Sequence, residues 1–154
     1  WSMTPYLLGD KAIKFSAWPC AAIKKEKIDK KDENFLRTAM KKQLAERAAC
    51  FDFGVQFQTT DKQMPVEDPT ILWSEKKSKF IKVARITIES QEFDNKDQNA
   101  FCENLSLNPW NGIAPHRPLG GINRVRKAVY ETVSKVRHEL NIKKPEEPTG
   151  KEKF

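Results

Sequence analysis

Phe51-Asp-Phe-Gly-Val-Gln-Phe-Gln58 alternates strictly between apolar and polar positions. Phe51, Phe53, Val55 and Phe57 fall on one face of an extended chain, and Asp52, Gly54, Gln56 and Gln58 on the other. Three phenylalanines on one side of a strand need an apolar layer opposite them. The polar side suits solvent or the lining of a barrel. Upstream, Lys11-Ala-Ile-Lys-Phe-Ser-Ala-Trp18 places Ile13, Phe15 and Ala17 on one face and reads as a strand ending at Pro19. Downstream, Phe80 to Ile88 reads as a third strand.

Helical periods lie between and after these strands. Asp32 is placed to cap a helix from Glu33 to Ala49, in which Phe35, Leu36, Met40, Leu44 and Ala48 follow helical spacing. Residues 59–79, with Pro65 and Pro69, read as a long connection, and Lys96 to Glu103 as a short helix. Asn108 to Gly121 holds Pro109, Pro115, Pro118 and three glycines, which predicts an irregular loop. Ile122, Val125, Val129, Val133, Val136 and Leu140 then recur at steps of three and four, the stripe of an amphipathic helix running to Asn141. The expected class is α+β, with antiparallel strands, long crossovers and C-terminal helices. Three strands do not close a barrel; they suit half of one, or a small open sheet. Residues 1–142 read as one domain and 143–154, broken by Pro145 and Pro148, as a flexible charged tail.

Composition narrows the function classes. The 154 residues include nine Phe and four Trp, more aromatic surface than a disordered chain carries. No apolar run approaches the length of a membrane span. The start at Trp1, without an initiator Met or the charged and apolar regions of a signal peptide, predicts a chain that continues something longer or has been trimmed. The net charge of +7 sits largely in Lys24 to Lys31 and Lys143 to Lys153, where Asp or Glu are interspersed. That mixture predicts solvated faces rather than a nucleic-acid site. Cys20, Cys50 and Cys102 are odd in number and contain no Cys-x-x-Cys pair, which predicts buried free thiols in a reducing, cytoplasmic compartment.

The last helix carries the candidate chemistry. At about 100° per residue, Arg126, Tyr130 and Arg137 fall within roughly 40° of one another, and Val133 shares their side. A free phenol is protonated at neutral pH; a guanidinium one turn away favours the phenolate. A phenolate is a hard anionic donor for ferric iron, and tyrosine is one of the residues that hold haem iron. Spacing alone equally describes a tyrosine packed at a helix edge beside an exposed arginine.

The ordered set of motifs resembles the catalases. Members of that family carry Arg-x-x-x-Tyr on the helix beneath the haem, with another Arg seven residues after the Tyr, as Arg126, Tyr130 and Arg137 stand here. Leu107-Asn-Pro-Trp110 and Gly112-Ile-Ala-Pro115 are similar to the irregular segment leading into that helix. Pro69-Thr-Ile-Leu-Trp73 resembles an earlier catalase segment. Asn108-Pro-Trp and His116-Arg-Pro-Leu-Gly-Gly-Ile-Asn-Arg124 are closer to catalase-related haem proteins of bacteria and fungi than to the classical enzymes. The resemblance runs from about Tyr6 to Leu140. It implies part of a catalase-like antiparallel barrel that binds haem b in a homo-oligomeric, peroxide-processing enzyme. Tyr130 would be the iron ligand, Arg126 its hydrogen-bond partner, and Val133, Arg137 and His116 would lie at the cofactor.

Two departures qualify that expectation. Glu131 and Thr132 follow the tyrosine, where catalases usually have Pro and Asp. The distal His and Asn of the family have no counterpart, since the histidines are His116 and His138, both late in the chain. The resemblance therefore covers the second part of the haem domain, and the missing N-terminal half, in the same or a separate chain, becomes an expected partner. A related reading keeps the haem and takes organic or fatty-acid hydroperoxides as substrate. A non-enzymatic reading has Trp18, Trp73 and Trp110 stacking on RNA, or the basic surface meeting an acidic protein. His116 more often fixes a loop than reaches a cofactor. His138 suits a helix C-terminus, and Cys50 and Cys102 lack the electropositive setting of a reactive thiol.

Overall fold

A computed structural model describes residues 2–20 and 31–153. Four strands form one open antiparallel sheet in the order β1 (Tyr6–Leu8), β2 (Lys11–Pro19), β3 (Ala49–Phe57) and β4 (Ile81–Ile88). The helices are α1 (Phe35–Glu46), between β2 and β3, then α2 (Lys96–Asn104) and α3 (Gly121–Asn141), with a single 3₁₀ turn at Ala114–His116. The fold is therefore α+β, as the patterning predicts. The sheet has four strands rather than three because Tyr6–Leu8 pairs with β2 across Gly9-Asp10, where Gly9 takes φ +65°. A three-residue strand is too short to show alternation.

Register follows the period-two pattern. Ile13 pairs with Phe57, Phe15 with Val55 and Ala17 with Phe53, so the apolar sides of β2 and β3 coincide. On that side Tyr6, Phe15 and Phe53 form a ladder with ring centroids 5.0 and 5.5 Å apart. A bulge between Phe53 and Gly54 shifts the pairing with β4.

The polar side of β3 is covered along part of its length, while Asp52 on that side pairs with Lys82 and Arg85 at the surface. The connection 59–79 folds over the covered part and is held by glutamine amides. Gln56 donates to the carbonyls of Trp73 (3.1 Å) and Ser78 (2.8 Å), and Gln58 donates to Met64 O (2.7 Å). Met64 and Trp73 are buried there, while Ile13, Val55 and Leu44 of α1 are the other buried apolar side chains among the described residues. The core is thin and divided between the two faces of the sheet.

Cys20 and Cys50 correct the expectation of free thiols: they are joined as a disulfide. The register explains it. Pro19 pairs with Phe51, so Cys20, the residue just after β2, meets Cys50, with a Cα–Cα distance of 5.6 Å. Cys102 is free and exposed rather than buried. The basic stretch Lys24–Lys31, except for Lys31, lies outside the described residues. Within the segment read as a tail, Glu146 donates its N–H to Asn104 O (2.9 Å) and bridges to Leu105 beside α2.

The valine stripe of α3 faces outward. Val125, Val129, Val133, Val136 and Leu140 are all exposed, and the buried residues of this helix are Asn123 and His138. The helix is attached by its polar side.

Candidate functional site

The N-terminus of α3 is fixed first. Gly120 precedes the helix at φ +85°, and a Cβ there would fall 2.6 Å from Val66 O, so the close approach of these two segments requires glycine. No side chain of the preceding residue caps the helix; Glu67 does so from the long connection. It accepts the Gly121 N–H (2.8 Å) and meets Arg124 with two parallel 3.0 Å bonds. Arg124, then the Gly121 N–H, hold the Glu67 carboxyl below its ordinary range.

One turn further, Asn123 is fully buried and its side-chain amide makes four hydrogen bonds. Its Nδ2 donates to Pro5 O (3.0 Å) and Leu119 O (2.8 Å), and its Oδ1 accepts from Thr4 Oγ1 (3.1 Å) and Arg126 Nη1 (3.1 Å). The N-terminal segment, the loop and the helix thus meet at one amide. Arg126 then reaches two phenols: Nη2 donates to Tyr130 Oη and Nη1 to Tyr6 Oη, both at 3.4 Å. Its guanidinium lies 5.3 Å from the Tyr130 ring centroid. The Tyr130 oxygen holds this guanidinium more firmly protonated than usual; burial opposes it, and Tyr6 adds a smaller push in the same direction as Tyr130.

Tyr130 is 37% exposed. With Val133, Cys102, Leu105 and Leu107 it lines a cleft of about 300 Å³, too small to enclose a porphyrin. Arg137 lines the same cleft, but its guanidinium is engaged: it donates to the carbonyls of Glu103 and Leu105 and lies 3.8 Å from the Glu103 carboxylate. It closes the C-terminus of α2, where carbonyls lack helical partners. His116 is exposed, belongs to the 3₁₀ turn and does not line that cleft. The segment around it runs beside β1, with Leu7 N donating to Arg117 O (2.9 Å) and Gly9 N to Pro115 O (3.1 Å). Of the residues singled out from sequence, Arg126, Tyr130 and Val133 stand together, Arg137 is near but occupied, and His116 is elsewhere. Among the described residues no three His, Cys, Asp or Glu side chains cluster as a metal site, and no helix is long and apolar enough to cross a membrane.

No family model and no curated protein matches this chain.

Sequence reasoning missed Tyr6 and Asn123. Asn123, Arg126 and Tyr130 lie on one side of α3 at steps of three and four, so that side could have been read as polar and attached. Tyr6 carries no such signal, because its place depends on tertiary pairing.

Proposed function

We propose that this chain supplies the iron ligand of a haem site in a catalase-related, peroxide-processing protein, with Tyr130 as that ligand and Arg126 as its partner. The observation carrying this reading is the Arg126 to Tyr130 hydrogen bond, with Arg126 itself pinned by Asn123. The pinned guanidinium sets a fixed positive charge beside the oxygen that would meet ferric iron, and tyrosine oxygen is one of the protein ligands of haem iron. Val129 and Val133 are exposed next to Tyr130, at the border between the attached and the outward sides of α3, and offer an apolar surface suited to a porphyrin face. Tyr130 and Arg126 thus fit the role of holding the iron. The committed guanidinium of Arg137 does not fit a propionate contact.

Bound haem would supply the redox chemistry toward a peroxide. This chain's residues would hold the iron through Tyr130, orient that phenol through Arg126 and shield one face from water. The open sheet would be part of an antiparallel barrel completed by further strands. The acid–base group that moves the peroxide proton would come from outside these residues, which leaves hydrogen peroxide and organic hydroperoxides as alternative substrates.

Titrating the purified chain with haemin tests the ligand. The expected result is a Soret band with the charge-transfer features of a ferric phenolate. Tyr130→Phe should abolish those features and weaken haemin at least tenfold, and Arg126→Leu should weaken it less. An unchanged spectrum and affinity in Tyr130→Phe would refute the assignment.

A further inference from the structure

The other side of the sheet holds a larger cavity, of about 920 Å³, lined by Lys14, Trp18, Leu72, Trp73, Lys79 and Phe80 among others. Lys14 alternates along β2 with Phe15, whose ring belongs to the Tyr6 ladder, so this cavity and Tyr130 lie on opposite faces. Its walls are built. The Trp18 ring crosses Gly54 so closely that a Cβ there would fall 2.3 Å from it, and it packs edge-on against Phe80 with ring centroids 6.3 Å apart. The Trp73 indole N–H is tied to Pro65 O (3.3 Å), and its carbonyl is held by Gln56.

Lys14 is the unusual member. It is only 9% exposed, yet it lines the cavity. Its ammonium sits 5.0 Å from the Trp73 ring centroid, and among the described residues it makes no hydrogen bond or ion pair. Burial without a counter-charge lowers its pKa. A buried cation lacking an anionic partner is costly, and a ligand that brings the anion recovers that cost as affinity. Lys76 and Lys79 at the cavity outnumber Glu75, so the whole site is electropositive.

We propose that this cavity binds an organic anion, a carboxylate carried on an aromatic body, with the carboxylate on Lys14 and the ring against the Trp18 and Trp73 indoles. Aromatic walls favour a flat apolar body, and the lysine selects its charge. The site is independent of the haem reading.

The test uses the full purified chain, calorimetry and tryptophan fluorescence. The probe is 1-naphthoate, with neutral 1-naphthamide, octanoate and adenosine monophosphate beside it. The expected result is saturable naphthoate binding with fluorescence quenching, at least tenfold tighter than naphthamide or octanoate. Lys14→Met should weaken it at least tenfold, while Lys14→Arg retains most of it. Equal binding of naphthamide, unchanged affinity in Lys14→Met, or no saturation would overturn the proposal. Equal binding of octanoate would overturn the aromatic body, and tighter binding of the nucleotide would replace the carboxylate by a phosphate. The ligand comparisons need no variant, so they stand even if Lys14→Met fails to fold.

Discussion

Replacing Asn123 by alanine should loosen the N-terminal half of α3 from the segment before β1 and the loop that precedes the helix. The amide is fully buried, and removing it breaks four hydrogen bonds at once. Pro5 O and Leu119 O lose a donor, and the Thr4 hydroxyl and Arg126 lose an acceptor. A neutral bond contributes about 1 kcal/mol net and one to a charged group about 1.5 kcal/mol or more, which sums to roughly 4–5 kcal/mol. Arg126 is partly solvated and recovers some of this through water, so the expected loss is about 3–4 kcal/mol. With a urea slope of about 2 kcal/mol per molar, the midpoint should fall by roughly 1.5–2 M. The assay is urea denaturation followed by circular dichroism, with amide exchange in α3 as the local readout. Thr4→Val, which removes one bond, should cost about 1 kcal/mol. Asn123→Asp keeps the acceptors but sets a carboxylate against two carbonyls, and should also destabilise. A loss below about 1 kcal/mol in Asn123→Ala, with α3 exchange unchanged, would refute the view that this amide anchors the helix.

Two further perturbations follow from the same structure. Thiol titration of the unfolded, unreduced chain should find one free cysteine, Cys102; reduction of the Cys20–Cys50 bridge, which spans 30 residues, should cost about 3.5 kcal/mol by chain entropy, and three titratable thiols without reductant would contradict it. In acid, Asp94 is held far below its ordinary pKa by Arg37, then Lys41 and Asn99, while Asp52 is lowered by Arg85 and Lys82. A depressed carboxylate stabilises the fold fully above its unfolded pKa, about 4, and that contribution drains away as pH falls from there through the folded value. Urea midpoints should therefore drop between pH 5 and about pH 2, and Asp94→Asn should flatten that drop; an unaltered profile would count against the ion pairs.

What the sequence makes legible is whatever one element determines by itself. The alternation at Phe51–Phe57 places β3, and the three-and-four spacing from Ile122 places α3 to within a residue of its start. What depends on a neighbour is hidden. The disulfide follows from a register that brings Cys20 opposite Cys50, and neither sequence position announces it. Gln56 and Gln58 look like solvent-facing residues because their partners, the carbonyls of Trp73, Ser78 and Met64, belong to a segment with no regular pattern. Lys14 looks like the charged position of an ordinary alternating strand until that same segment closes over it.

The orientation of α3 is the sharpest case. A hydrophobic stripe states which side of a helix would gain from burial; it does not say that this chain buries it. Here the polar side is turned inward because it has specific partners. Asn123 joins the N-terminal segment, and Arg137 closes α2. The His138 ring is buried with one nitrogen 2.8 Å from Asn104 O and the other 2.7 Å from Ser134 O. Each valine or leucine left outside forgoes about 1.5–3 kcal/mol of burial, more than any single one of these contacts supplies. A helix held this way is favourable when something apolar covers its outer stripe. Tyr130 stands beside that stripe, and so the ligand reading and the exposure of Val129 and Val133 share one physical requirement. A haem face would satisfy both, and loss of haemin binding in Tyr130→Phe would remove the cover along with the ligand.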